Sequence, residues 1–530
     1  MEMSAAIQEI AIDERSSAPR IINSTDTPTT QYMQRELNDA GPMRRCQNST
    51  EAETWSHQWW DGYENSMHPH SDDLYFSPQR LFELLEVGPS GQPAPVRLLK
   101  GSWLLKRAEQ IRRSRIDKTC AEHPLRLLRR QEMPEAAFLS AEEARSLPRG
   151  HVGYMFESCG LNGDPCWDSM RLSDCRCLSE DDRSWKPLRV ASISHGWLTS
   201  DHPDPLAEQI VRFADQIEYE RRFCLGDFGQ QCYQGALCMC CGCGNSEGCC
   251  CAIPIRGQQC CTPDNAFASG EFGVFYDWCS LMQKDALGHR TPKEEASFKT
   301  ALHLMGVWYG HALTSTFIMS ELPEGWPKSA KTARFFPDNW LRGKGWPTFE
   351  RAVSGMVKRS SHLTWRRIVD SAVSRGISSQ TNGHRAAPQH PQEFAAELAE
   401  KIFTNGADCE VVAGLYADTL AGALGHTKVL EFRACEWTDK DAERLARVLP
   451  MAQRVEMIDV IFNRIGKRGY DAIAAAIDRG WAPSLKRIRS DPLNAGDDAR
   501  LREACRARGI EVVHPLQLVV YGRDTLGAKI

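Results

Sequence analysis

Between Arg189 and Lys358 the chain passes repeatedly from a short apolar run to apolar positions at helical spacing. Arg189-Val190-Ala191-Ser192-Ile193-Ser194 predicts a strand that ends in polar Ser194-His195. Leu206, Ile210, Phe213 and Ile217 then recur as one helical face, with Pro205 near the first turn, where its missing N–H costs nothing. Phe272 to Tyr276 predicts a second strand, ending in Asp277-Trp278. Thr291-Pro292-Lys293-Glu294 reads as a capping box, in which the threonine oxygen and the glutamate satisfy free helix-end donors. The helix it opens should bury Phe298, Leu302, Met305 and Tyr309. Leu313 to Met319 predicts a third strand. After a loop of Pro, Gly and Lys, a helix from Pro347 should bury Phe349, Val353, Met356 and Val357.

Right-handed crossovers make such strands parallel in one sheet, so the fold class expected is α/β. In open α/β sheets ligands bind beyond the carboxyl ends of the strands, at the topological switch point. His195 and Asp277 fall at two such ends. Glu350 falls in the first turn of a helix starting at the same edge, where the helix dipole favours an acid by ~0.3–1 kcal/mol. These distant residues are expected to converge. Each also has a purely structural alternative: a buried histidine, an aspartate capping its loop, a helix-end acid.

A second pattern follows beyond residue 395. Lys428 to Phe432, Arg454 to Ile458 and Ser484 to Ile488 each precede a helical stripe, the first through Ala442, Leu445, Ala446 and Leu449 and the last through Leu501 and Cys505. With Leu430, Val455 and Leu485 as anchors, the starts lie about 25 and about 30 residues apart, a period typical of strand-plus-helix repeats. Asn463 would hold a turn of such a repeat through backbone hydrogen bonds. Gly383, Pro388, Pro391 and several Gln mark residues 376–394 as a linker. Residues 1–80, polar and without sustained period, are expected to be disordered. The aromatic cluster Trp55, Trp59, Trp60 and Tyr63 is either a docking motif or a short packed element. The organisation expected is therefore 1–80 disordered, 81–185 a basic lead-in, 186–375 the α/β domain, 376–394 the linker and 395–530 the repeats.

Composition changes this picture little. A chain 42% hydrophobic and 25% charged with net charge −5 is that of an ordinary globular protein, and its charge gives no bulk attraction to nucleic acid. No run approaches the ~20 apolar residues that span a bilayer, and Met1-Glu2-Met3-Ser4 lacks a signal-peptide pattern, so the location expected is cytoplasmic. The basic excess is local: Arg97 to Arg130 holds eleven Lys/Arg against three Asp/Glu. Leu98, Leu99, Trp103, Leu104, Leu105, Ala108 and Ile111 suggest an amphipathic helix there. It either covers the α/β domain or lies on an anionic membrane surface.

Eleven of the 21 cysteines lie between Cys224 and Cys261, in what should be a helix-to-strand loop of only 2–6 residues or so. Three readings compete. Cys238, Cys240, Cys241, Cys243, Cys249, Cys250 and Cys251 are candidate zinc ligands, with Cys238/Cys241 and Cys240/Cys243 at the gap favoured by tetrahedral sites. The same cysteines are also candidates for acylation as a membrane anchor, or for redox chemistry in a loop without fixed structure. Cys159, Cys166, Cys175 and Cys177 do not have a zinc-ribbon spacing.

The α/β segment resembles the TIR domain and the related fungal HET (heterokaryon-incompatibility) domain over about 170 of the 530 residues. Val190 to Trp197 is similar to the opening strand of both. Val274 to Asp285 is similar to the second strand and loop of HET-like domains, and Trp346-Pro347-Thr348-Phe349-Glu350 to the TIR motif Trp-Cys-x-x-Glu. Pro347 stands where that motif has cysteine. Ser194-His195-Gly196-Trp197-Leu198 with His202-Pro203-Asp204-Pro205 resembles a block of large algal or protist multidomain families. The repeats resemble leucine-rich repeats of the ribonuclease-inhibitor type. The resemblance implies a flavodoxin-like, TIR-like sheet and a short repeat stack. It also implies NAD as a substrate cleaved at the nicotinamide–ribose bond, with Glu350 catalytic and Ser194, His195, Trp197, Asp277, Trp278 and Trp346 as substrate-binding candidates. It further implies self-association of the TIR-like module and protein partners for the repeats, in an intracellular signalling or defence protein. Two other classes stay open: a non-enzymatic scaffold and a thiol-rich metal-binding protein. The chain carries no Walker phosphate loop, Gly-x-Ser-x-Gly elbow, His-Glu-x-x-His site or kinase signature.

Overall fold

The computed structural model describes residues 73–88, 91–116, 126–148, 187–199, 202–222, 270–285, 287–322, 340–358, 360, 367–371, 385–433 and 435–514. Five strands form the larger sheet: β1 (Leu99–Lys100), β2 (Val190–Ser194), β3 (Gly273–Phe275), β4 (Ser315–Ile318) and β5 (Ile368–Asp370). Their order is β1-β3-β2-β4-β5. β2 pairs in parallel with β3 and β4, and β4 with β5, while β1 runs antiparallel along β3. The chain thus steps from β2 to β3 on one side and then crosses to β4 on the other, which makes the β2/β4 gap the switch point of the sheet.

The period-2 alternation of β2 sorts its side chains between two layers. Ala191 and Ile193 join the core beneath α2 (Gly101–Ile116) and α4 (Glu208–Arg222). Val190 joins the core on the opposite face. There Ser192 donates to Trp308 O at 2.7 Å, within the pair of helices α6 (Pro292–His303) and α7 (Met305–Gly310). The helix α8 (Gly345–Ser354) packs on that face too, with Ser354 donating to the Thr316 hydroxyl of β4 at 2.9 Å. Short α1 (Pro78–Glu83), α3 (Ala141–Ser146) and α5 (Asp277–Ser280) complete this part.

Several expectations are corrected here. The basic segment contains an edge strand before its helix: Leu99 pairs with Val274, and Gly101 closes on Phe272, whose ring a Cβ would meet at 2.3 Å. The helix covers the sheet, burying Leu104, Ala108 and Ile111, and its Arg112 and Arg115 pair with Asp215 and Glu208 of α4. Its apolar face is therefore occupied within the fold. α4 begins at Glu208, leaving Leu206 half-exposed, because the Asp204 carboxylate accepts the amides of Glu208, Gln209 and Ile210 at 2.7–3.2 Å. The Thr291 capping box forms as expected, but the helix breaks at Leu304, so its stripe divides between α6 and α7. Residues 73–80 are packed, with Tyr75 and Phe76 buried and Ser77 capping α1. The cluster from Trp55 to Tyr63 lies outside the described residues.

The second sheet is parallel with its strands in sequence order: β6 (Val429–Glu431), β7 (Met457–Asp459), β8 (Arg487–Arg489) and β9 (Glu511–Val513). Helices α11 (Asp439–Val448), α12 (Lys467–Asp478) and α13 (Ala499–Ala507) alternate with them. Leu430, Ile458, Ile488 and Val512 are in register, so Ile458 and Ile488 replace Val455 and Leu485 as the repeat anchors, and β9 is a strand not anticipated. Asn463 does more than close a turn. Its Oδ1 accepts from the amides of Cys435 and Trp437, and its Nδ2 donates to Phe432 O and Val460 O, joining neighbouring repeats.

The segment read as a linker is structured where it is described. Arg385 is buried and donates to Gly355 O at the end of α8. Gln389 exchanges two hydrogen bonds with the Tyr416 hydroxyl, and Pro391 opens α9 (Pro391–Ala399). That helix and α10 (Asp408–His426) carry one continuous apolar core from Phe275 and Trp308 to Leu430, Ile458 and Ile488. Among the described residues no helix is both long and apolar enough to cross a membrane.

Across β6 to β8 the third strand positions hold charge without water. Asp459, fully buried, accepts from Arg433 at 2.8 Å and from Arg489 at 2.9 Å. Removing one member of a buried ion group costs about 3–5 kcal/mol, against under about 1 kcal/mol for an exposed pair. Asp459→Asn is expected to lower the unfolding free energy by about that larger amount in urea titration, while Lys467→Ala, which removes an exposed pair with Asp471, changes it little. Equal small losses would show that the Asp459 group does not hold the stack.

Candidate functional site

Ser194 follows Ser192 on the same face of β2 and therefore meets α8. His195 continues from the strand end and is buried. β3 ends two residues before Asp277, which opens α5 and accepts from the Trp278 amide at 2.5 Å. The His195 ring stands edge-on to Tyr276 with centroids 4.4 Å apart, and its Nε2 lies 3.5 Å from Asp277 Oδ1. From the other side α7 supplies Tyr309, whose hydroxyl donates to Ile193 O at 3.1 Å, and α8 supplies Glu350. The structure thus brings Ser194, His195, Asp277 and Glu350 together at the carboxyl ends of β2 and β3, on the face that α8 covers.

Glu350 does not sit in a first turn. α8 starts at Gly345, whose missing Cβ lets the backbone lie against the Phe403 ring at a distance of 2.0 Å from where that atom would be. The start shifts two residues back from Pro347, Glu350 falls in the second turn, and the helix-dipole argument for it lapses. Its environment is more unusual than a helix end. The side chain is 2% exposed, and Oε2 has no hydrogen-bond partner. Burial pushes its pKa well above the ordinary glutamate value, and the nearby Asp277 charge pushes it further, while the hydroxyls of Ser194 and Tyr309 and the His195 amide oppose the shift. Burial likewise holds the His195 imidazole below its usual value, against the pull of Asp277. Both shifts favour the uncharged form, beside an Asp277 side chain that is 23% exposed.

The other anticipated residues divide. Trp278 follows Asp277 and packs edge-to-face on half-buried Trp197 at 5.4 Å, with His202 tilted against it at 5.1 Å. They form an aromatic wall joined to the cluster through the chain at Asp277. Trp346 turns elsewhere: its indole N–H donates to Asp408 of α10 at 3.0 Å, and its ring meets Phe349. Tyr309 was overlooked as a site residue, because an aromatic at helical spacing reads as core. The clue lay in its place, just before the helix stops at Gly310. Cys238, Cys240, Cys241, Cys243, Cys249, Cys250 and Cys251 lie outside the described residues. Among the described residues no three His, Cys, Asp or Glu side chains gather as a metal site.

Chemically the cluster is a carboxylic acid held neutral beside a partly exposed carboxylate, a division of roles that suits acid–base and charge-stabilising work. No protein-family model matches this chain, and no curated protein matches it either.

A raised folded-state pKa fixes the sign of the pH dependence. The Glu350 contribution to stability is fully present below the ordinary glutamate value and is lost as pH rises through the folded value. Between those limits it falls by up to about 1.4 kcal/mol per pH unit. Glu350→Gln, which mimics the neutral acid, is expected to remove this slope and to be more stable than the wild type at pH 7 and above. Urea titrations at pH 5, 7 and 8 check it. A variant as pH-sensitive as the wild type would show that Glu350 ionises freely in the fold.

Proposed function

We propose that this chain carries a TIR/HET-like effector module that cleaves NAD at the nicotinamide–ribose bond, on a flavodoxin-like sheet joined to leucine-rich-repeat-like units that bind protein. What carries the reading is the convergence of Glu350, Asp277, Ser194 and His195 at the carboxyl edge of a parallel sheet, with Glu350 buried and its pKa pushed up by that burial. The bond broken passes through an oxocarbenium-like state, which a carboxylate stabilises. In this reading Glu350 gives its proton to solvent as the local opening admits substrate, and the carboxylate left faces the developing positive charge. Asp277 accepts from a ribose hydroxyl, and the Trp197–Trp278 wall takes a ring face. Self-association of the module and an intracellular signalling or defence role belong to the same proposal.

One observation favours a second reading, a catalytically silent scaffold. Ser194, His195 and Glu350 are each no more than about 3% exposed, so substrate reaches Glu350 only after a local opening. Nicotinamide release from NAD, followed at high protein concentration, separates the two. The enzyme reading expects release that falls to background in Glu350→Gln. In Asp277→Asn it should drop about tenfold or more, the worth of one charge-assisted hydrogen bond. No release from folded, concentrated protein would leave the scaffold.

A further inference from the structure

Behind α8 lies a cavity of about 760 Å³ that excludes the Glu350 cluster. Thr348, Arg351, Ala352 and Gly355, one stripe of the helix at i, i+3, i+4 and i+7, line it, and Glu350 does not. The facing walls are the Arg385–Gln389 segment, α9 and α11, with Ile318 and Asp370 from the ends of β4 and β5. Its size is that of small-molecule sites, which run to roughly 300–1,000 Å³.

The walls are cationic on balance. Arg342, Arg351, Arg385, Lys401, Arg444 and Arg447 face four acids, Asp370, Glu393, Glu397 and Glu400. Three of the basic groups are matched: Arg351 by Asp370, Arg447 by Glu393 and Lys401 by Glu397. Arg342 and Arg444 form no ion pair with a described residue, though Arg444 stands near enough to Glu397 to help lower its pKa. Arg385 is the unusual member. It is buried, and its Nε and Nη2 donate to the Gly355 carbonyl at 2.8 and 2.6 Å. Nη1 has no partner, and no carboxylate among the described residues forms an ion pair with the guanidinium. Glu431 acts on it from beyond ion-pair distance, and the guanidinium stands 5.0 Å from the centroid of the Phe432 ring, so the unmatched charge that faces the cavity is that of Arg342 and Arg444.

We propose that this cavity binds a phosphate-bearing small anion, up to the size of a nucleoside diphosphate. Guanidinium forks match phosphate oxygens two at a time, which lysine cannot do, and five of the six basic side chains are arginine. The apolar wall of Ile318, Leu341, Pro347 and Ile368 takes an organic body, where there is one. The site is separate from the Glu350 cluster and does not rest on the NAD reading.

Calorimetric titration of the full chain with two probes, inorganic pyrophosphate and ADP, tests it. Saturable one-site binding of at least one probe is expected. ADP alone would assign a nucleoside phosphate, and pyrophosphate alike would assign the bare phosphate group. Arg342→Glu with Arg444→Glu should weaken binding about 100-fold, roughly tenfold for each charge-assisted contact. Ala352→Phe, which keeps every charge and fills space, should weaken it as well, and thermal unfolding of each variant reports whether it folds. Glu350→Gln should leave the affinity unchanged. Three results would each overturn the proposal: no saturable binding of either probe at millimolar concentration, affinity unchanged in the Arg342/Arg444 and Ala352 variants, or affinity lost in Glu350→Gln.

Discussion

The Glu350 carboxyl is buried between β2 and α8, and no described residue offers it an ion pair. An isolated carboxylate in such a place is far too costly to keep, so the group takes a proton. Much of the surrounding arrangement serves that neutral acid. The Ser194 and Tyr309 hydroxyls flank it, burial also favours the uncharged His195 ring beside it, and Asp277 stands at the edge, where water still reaches. A glutamine would fill the same space without the cost. Strongly perturbed ionisable groups concentrate at functional sites, and that is the physical ground for reading this edge as one.

The helix that carries Glu350 is fixed from outside the larger sheet. Arg385 donates twice to the carbonyl of Gly355, the residue that caps that helix, and the carbonyl of Arg385 accepts from the Trp437 indole after β6 at 2.6 Å. Ser360, just beyond the helix, donates its amide to Glu431 of β6 and accepts from the Arg433 amide. The repeat stack is therefore part of the structure that positions the acid.

Much of this was legible in the sequence, for identifiable reasons. Apolar runs such as Val190 to Ser194 and a reciprocal cap such as Thr291/Glu294 are local signals, and the structure has both. The parallel topology then brought His195, Asp277 and Glu350 together by rule, although they are far apart in the chain. What escaped notice was short or non-local. β1, β5 and β9 went unanticipated, β1 because Leu99 reads as part of the helical stripe that follows it. The start of α8 was set at Pro347, which is the third residue of the helix, whereas Gly345, lying against Phe403, is the first. Gly383, Pro388 and Pro391 suggested a linker, but Pro391 starts a helix and Gln389 is held by Tyr416, a partner that no local pattern reveals.

The most direct test of this account is the protonation state of Glu350 itself. Difference infrared spectroscopy between the wild type and Glu350→Gln at pH 7 isolates its carboxyl band. A protonated carboxylic acid band present only in the wild type is the expected result. A carboxylate band in its place would mean that the group is ionised in the folded chain, and the reading of this edge as a neutral-acid site would fall.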